Sequence, residues 1–208
     1  MDSGRISAMM RQLWSPVVAV TSHWQGKSNA QIAVSVGAAS VVPEKPRIVV
    51  QIYKENYSWQ LIQNSGALAL NFLRPDQCWL IKTFGLASGR GEDKLTAVAY
   101  RTGITGSPIL ENCWVYLDCR VINAMDGGDM TCFLAEVVDG ATLGESEPLW
   151  WHQARRVIPA EWNREWDARI AGQIERSRRQ MERIDYTPWH LAGRSAAGRA
   201  DPESGRCD

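Results

Sequence analysis

Few residues in this chain are equipped to do chemistry unaided. Three histidines, His23, His152 and His190, lie far apart and in no zinc-binding spacing, so no metal site is expected. The five cysteines, Cys78, Cys113, Cys119, Cys132 and Cys207, are odd in number and include no Cys-x-x-Cys pair. On one straight strand the six-residue step from Cys113 to Cys119 spans about 20 Å, against the roughly 7 Å between Cα atoms that a disulfide tolerates. Reduced thiols in a cytoplasm are the expectation. No Ser-His-Asp set and no carboxylate pair with an evident task is present, so a catalytic residue is not assigned. The residues left are suited to holding an anion or a flat ring. Ser88, Gly89, Arg90 and Lys94 make a flexible basic loop able to close on a phosphate. Lys54 ends a strand, and Ser58 opens a helix whose first amides are a ready anion site. Gly37, Ala38 and Ala39 are small enough for a planar group to approach the backbone. Ser35 can donate a hydrogen bond, and Asn29 can donate and accept. Taken singly, Lys54, Arg90 and Lys94 also read as solvated charges, and Ser58 as a plain helix cap.

These residues sit on a chain that reads mainly as strands. Val17 to Thr21, Ile32 to Val36, Arg47 to Tyr53 and Ala67 to Phe72 are short apolar, β-branched runs bounded by proline, glycine and polar clusters. Trp114 to Val121 alternates, with Val115, Leu117, Cys119 and Val121 on the face expected to meet a core. The turn Asp126-Gly127-Gly128-Asp129 joins it to Cys132–Val138 as an antiparallel hairpin. Two short helices are expected, one over Ser58–Ser65 capped by Ser58 and ended by Gly66, and one over Asp76–Phe84 capped by Asp76 and stopped at Gly85. A long helix is expected from Pro159 to about Ile184, with Trp162, Trp166, Ile170 and Ile174 forming one stripe. That stripe must cover either the barrel or a second subunit. From Ala192 the chain is small and polar, and disorder is expected.

Composition narrows the function classes. With 208 residues the chain is long enough to bury a core unaided. Its 23 basic and 23 acidic residues balance, which argues against a nucleic-acid partner. No run approaches the ~20 apolar residues of a membrane span, and Met1–Arg11 lacks the apolar stretch of a signal peptide. No Gly-x-Gly-x-x-Gly follows the first strand, so a Rossmann nucleotide site is not indicated. Five of the ten tryptophans fall after residue 149, which reads either as a packed core or as a subunit interface or ring-stacking surface.

From about Ser15 to Leu149 the chain resembles the flavin reductase-like family, the FMN-binding split barrels that include flavoredoxins. The likeness rests on an ordered series: SPVVAVTSHWQGKSNA, with an Asn near the start of strand two; IAVSVGAASVVPEKP, with the family's proline pair broken into Pro43 and Pro46; VVQIYKENYSWQLIQNSGALALNF; FGLASGRGEDKL; GSPILENCWVYLDCRV; and GGDMTCFLAEVVDG. Met130 stands where the family's Gly-Asp-His triplet has a histidine implicated in nicotinamide binding, and Ala135 where a glycine is frequent. Cys119 aligns with a family cysteine and reads as a small core residue.

The resemblance implies a mainly β fold, a Greek-key split β-barrel with short helices, and the long C-terminal helix read from its periodicity lies outside it. With the residue patterning outside it, the chain divides into an N-terminal segment (1–14), the barrel (15–149), a Trp-rich helical extension (150–190) and a tail (191–208). The resemblance also implies a homodimer binding FMN, or FAD, near the subunit interface, with NADH or NADPH as electron donor. Asn29, Ser35, Val36, Gly37, Ala38, Lys54, Ser58, Ser88, Arg90 and Lys94 are the cofactor-binding candidates. The function this implies is an NAD(P)H-dependent flavin reductase-like oxidoreductase, with a monooxygenase or another redox protein as partner. The alternatives are an FMN electron carrier fed by a protein partner, or the same barrel holding another planar ligand such as haem.

Overall fold

The computed structural model describes residues 3–184; Trp189, Cys207 and the expected disordered tail lie outside them. Helix α1 (Ser3–Met10) precedes the hairpin of β1 (Val18–Trp24) and β2 (Lys27–Ala33). Its turn holds Gln25 and Gly26 at φ of 47° and 73°, the left-handed geometry that matches strand twist in a tight hairpin. Next come β3 (Val36–Ala38) and β4 (Arg47–Tyr53), also antiparallel. Helix α2 (Tyr57–Ser65) stops at Gly66, whose left-handed φ lets its N–H return to the Ile62 carbonyl. After β5 (Ala67–Phe72) come a small hairpin, β6 (Tyr100–Thr102) and β7 (Pro108–Leu110), and a long one, β8 (Val115–Asp126) and β9 (Met130–Thr142). Helices α3 (Trp151–Val157) and α4 (Ala160–Met181) follow.

Seven strands form one antiparallel sheet in the order β2-β1-β5-β8-β9-β4-β3. Its two edges, β2 and β3, are consecutive in the chain and joined only by Val34 and Ser35. The sheet therefore curls on itself and stays open between them, which is the expected split barrel. Inside lie Val18, Val20, Val50, Ile52, Leu68, Leu70, Cys119 and Phe133. A second cluster covers the outside of β1 and β5, with Ala19, Ala69, Leu80, Phe84, Ile109 and Trp151. The alternation of β8 was expected to give one buried face. Both are covered at its start, because Tyr116 and Asp118 are also buried, under the β6–β7 hairpin. Asp118 there accepts the Thr105 amide at 2.9 Å and the Thr105 hydroxyl.

Three helix expectations change. Ser58 is not the cap of α2; Asn56 holds that position, and Ser58 lies inside the first turn, fully buried. Asp76–Phe84 is not one helix but a 3-10 turn (Pro75–Gln77) and a π-type turn (Ile81–Leu86) that runs through Gly85. The Asp76 carboxylate is taken by Arg74 at 2.8 Å, and Gln77 accepts the Arg74 amide instead. Gly85 is required for packing: a Cβ there would lie 2.4 Å from the Trp166 ring. The long helix begins after Pro159 as expected and ends at Met181. Its Trp162 and Trp166 cover the barrel, and Trp166 packs on Trp151 at 4.6 Å between ring centroids. That part of the stripe is used within the chain.

Candidate cofactor site

The open edge between β2 and β3 gathers polar groups that a plain barrel would not bury. Ser22 pairs with Asn29 and Val20 with Gln31 in the β1–β2 register, so Ser22, Asn29 and Gln31 share the inner face. All three are buried, and Ser22 Oγ, Asn29 Oδ1 and Gln31 Oε1 have no hydrogen-bond partner among the described residues. Each orphaned polar atom in such a place costs about 1–3 kcal/mol, and three on one face mark a place built for something else. Asn29 Nδ2 donates to Ser58 Oγ at 2.8 Å, which fixes the amide so that Oδ1 faces the 88–91 loop. Gly89 backs directly onto that atom: a Cβ at this position would stand 1.9 Å from Asn29 Oδ1. The loop is shaped by Ser88, whose carbonyl accepts the Gly91 amide at 3.2 Å and whose hydroxyl accepts the Arg90 amide at 3.4 Å.

The positive charges are distributed unevenly around this cradle. Arg90 lies beside it, donating to the Glu55 carbonyl at 3.1 Å with its guanidinium 5.4 Å from the Tyr57 ring. Glu55 also binds Arg176 of α4 at 2.8 Å. Lys54 points to the β8–β9 turn and pairs with Asp126 at 2.6 Å. Lys94 is buried, and its ammonium donates to the carbonyls of Phe84 (3.1 Å) and Ala87 (3.4 Å), where it ties the end of the π-type turn. Asn29, Ser58, Ser88 and Arg90 are thus brought around one site, whereas Lys54 and Lys94 spend their charge on other partners.

Ser35, Val36, Gly37 and Ala38 line the opposite edge. The Ser35 carbonyl accepts the Gln51 amide and the Ala39 amide donates to Arg47. In an antiparallel pair these groups alternate, so the amides of Val36 and Ala38 point away from β4 along the open edge. A row of free donors beside a glycine suits the polar rim of a flat heteroaromatic ring. Ser22 and Gln31 were not among the sequence candidates. Their signal was available in the polar alternation Asn29-x-Gln31 within a strand.

Lys94 carries a pH prediction. Burial, reinforced by the Arg169 charge and partly opposed by Glu92, lowers its pKa from 10.5 to about 8. Between those values the unfolded lysine holds a proton that the folded one does not, so stability from this residue rises with pH across that window. In Lys94→Met the slope disappears. Urea unfolding at about pH 7 and about pH 9.5 is expected to show wild type gaining roughly 1–2 kcal/mol over the variant at the higher pH.

A curled seven-stranded sheet, open at one seam and lined there by unsatisfied polar groups, defines a ligand-binding split barrel. Residues 10–159 match the flavin reductase like domain, and the chain belongs to that family. It is 30% identical over 142 residues to the high molecular weight rubredoxin of Moorella thermoacetica, a match covering 66% of this chain and 61% of that protein. With the reductase subunit HsaB of a flavin-dependent monooxygenase from Rhodococcus jostii (strain RHA1) it shares 25% identity over 174 residues, 80% of this chain and 87% of that one. The fold is similar to that of the NADH:FAD oxidoreductase SgcE6 of Streptomyces globisporus C-1027, with a TM-score of 0.63, 21% identity, and coverage of 71% of this chain and 89% of that one. Among the described residues no helix is long and apolar enough to cross a membrane, and no group of three or more His, Cys, Asp or Glu could hold a metal.

Proposed function

We propose that the chain binds FMN, or FAD, at the seam between β2 and β3 and works as a flavin-dependent oxidoreductase drawing electrons from NADH or NADPH. The observation that carries this is the buried, unpartnered Asn29 Oδ1 facing a glycine that leaves no room for a side chain. Asn29 Oδ1, an acceptor, would take a hydrogen bond from a ribityl hydroxyl, while the Ser58 hydroxyl, the first amides of α2 and the Ser88–Arg90 loop would hold the phosphate, with Arg90 as the nearest cation. The amides of Val36 and Ala38, with Ser35 and Gly37, would meet the ring. Lys54 and Lys94 then act at a distance, by fixing the β8–β9 turn and the π-type turn. The flavin, when bound, supplies the electron-transfer chemistry, while the protein binds and orients it and leaves one face accessible.

The barrel over 15–149 is the flavin-binding unit in this reading, and 150–190 an extension that modifies it. A homodimer is supported by the far end of β8, where Ile122 and Met125 are 45% and 66% exposed. A cytoplasmic setting fits the four free cysteines among the described residues. A monooxygenase, or another redox protein, is the partner that relatives such as HsaB point to. One observation favours a second reading, an electron carrier fed by a protein: Met130, paired with Tyr53, offers no hydrogen-bond donor at the histidine position of the family. Anaerobic titration with NADH and then NADPH separates the two. Rapid bleaching of the flavin band supports the reductase, and a band that persists supports the carrier.

A further inference from the structure

Helix α4 lies beyond residue 159, where the family match ends, yet it holds the polar cradle at two points. Trp162, Trp166, Arg169 and Arg176 follow one another at steps of four, three and seven residues, so they share one face of the helix. The two tryptophans pack on the barrel and turn that face toward it. Arg169 then donates to the Gly85 carbonyl at 2.7 Å, near the end of the π-type turn that leads into the 88–91 loop. About 10 Å further along the helix, Arg176 Nε donates to Glu55 Oε2 at 2.8 Å. Glu55 is also the residue whose carbonyl accepts Arg90, at the tip of the same loop. One helix thus fixes the loop at its root directly and at its tip through Glu55.

The contact with Glu55 has an electrostatic consequence. Glu55 immediately precedes Asn56, the N-cap of α2, so its side chain starts between the first amides of that helix and the Arg90 guanidinium. These are the donors an incoming anion needs, and a free carboxylate competes for them. Arg176 takes that carboxylate instead. Lys54, the preceding residue, pairs with Asp126. The Arg176 and Glu55 side chains are 56% and 34% exposed, and ion pairs this open add little to stability. What the pair sets is the direction in which the Glu55 charge points.

We propose that α4 is a strap that positions the anion site: Arg169 holds the root of the 88–91 loop, and Arg176 holds the Glu55 carboxylate away from Arg90 and the first amides of α2, leaving both to a phosphate. That the phosphate belongs to a flavin rests on the reading above; the hold on the loop does not. Arg169 and Arg176 are positioning residues in this account. Arg176→Ala in the full chain is expected to bind FMN weaker by on the order of tenfold, read by quenching of flavin fluorescence, with a melting temperature within about 3 °C of wild type. Adding Glu55→Gln removes the competing carboxylate and should restore the affinity to within about threefold of wild type. A purely structural role for Arg176 gives no such rescue. Hydrogen exchange of the ligand-free protein reads the other contact. In Arg169→Ala the amides of Arg90 and Gly91, which bond to Ser88 within the loop, should exchange on the order of tenfold faster, while the Gly66 amide that closes α2 keeps its rate. Unaltered FMN affinity in Arg176→Ala, a loss that Glu55→Gln does not restore, or unaltered exchange in Arg169→Ala overturns the proposal. A wild type that binds no FMN sinks the flavin reading, and the exchange rates still decide this one; wild type and Arg176→Ala binding FMN equally well sinks this one alone.

Discussion

Gly89→Ala is expected to weaken FMN binding roughly a hundredfold while leaving the fold intact. The added Cβ would stand 1.9 Å from Asn29 Oδ1, a contact no relaxed structure keeps. Asn29 has a short side chain, is 3% exposed and is bonded to Ser58, so it can yield only by giving up that bond. The bond from a ribityl hydroxyl to Oδ1 and the charge-assisted bond from the Ser58 hydroxyl to phosphate would go with it. At about 1.5 kcal/mol each they amount to roughly two decades in affinity. Gly91→Ala is the control, since nothing lies within 4 Å of the Cβ it would add. Quenching of flavin fluorescence reads both variants. If Gly89→Ala binds FMN as tightly as Gly91→Ala does, the cradle is not the flavin site.

A second large effect concerns stability. Asn71 is fully buried and joins three strands: Nδ2 donates to the Ala19 carbonyl (3.2 Å) and to Thr21 Oγ1 (3.1 Å), and Oδ1 accepts the Leu110 amide at 2.8 Å. Truncation to alanine orphans these groups in a dry interior and detaches β7 from β5. Asn71→Ala should therefore cost about 3–4 kcal/mol, or roughly 10 °C in melting temperature for a chain of this size. Asn64→Ala is the matching control, because Asn64 is exposed and bonds only the Gln60 carbonyl; its cost should stay within about 0.5 kcal/mol. A loss below about 1 kcal/mol for Asn71→Ala would mean that the β6–β7 hairpin is not held by this side chain.

What was legible in the sequence, and what was not, follows from these roles. Arg47–Tyr53 and Ala67–Phe72 are strands with the expected bounds, because their β-branched and aliphatic residues have one use. The glycine turn at 126–129 placed the β8–β9 hairpin, and four-residue spacing placed α4. β2 was misread from its residues as Ile32–Val36, for its first half, Lys27 to Gln31, is polar. It is polar because Asn29 and Gln31 face the seam, so the feature that hid the strand is the one that marks the site. The family likeness had placed Asn29 near the start of that strand. The β6–β7 hairpin was missed for a related reason: its three-residue strands are held by Thr21, Asn71 and Asp118 from elsewhere, a tertiary anchorage with no local pattern. Basic residues misled in the other direction. Lys94 looks like a phosphate ligand on a loop, and only the fold shows its ammonium buried against two carbonyls.

The central claim is that a flavin sits at the seam of the barrel, with its phosphate against Ser58 and the Gly89 loop and its ribityl chain against Asn29. A crystal structure of the protein grown with FMN tests it most directly. The expected result is the phosphate within hydrogen-bond distance of Ser58 and the Gly89 amide, a ribityl hydroxyl donating to Asn29 Oδ1, and the ring along Val36–Ala38. FMN bound elsewhere, or a seam that closes without it while Asn29 finds a protein partner, would contradict the account.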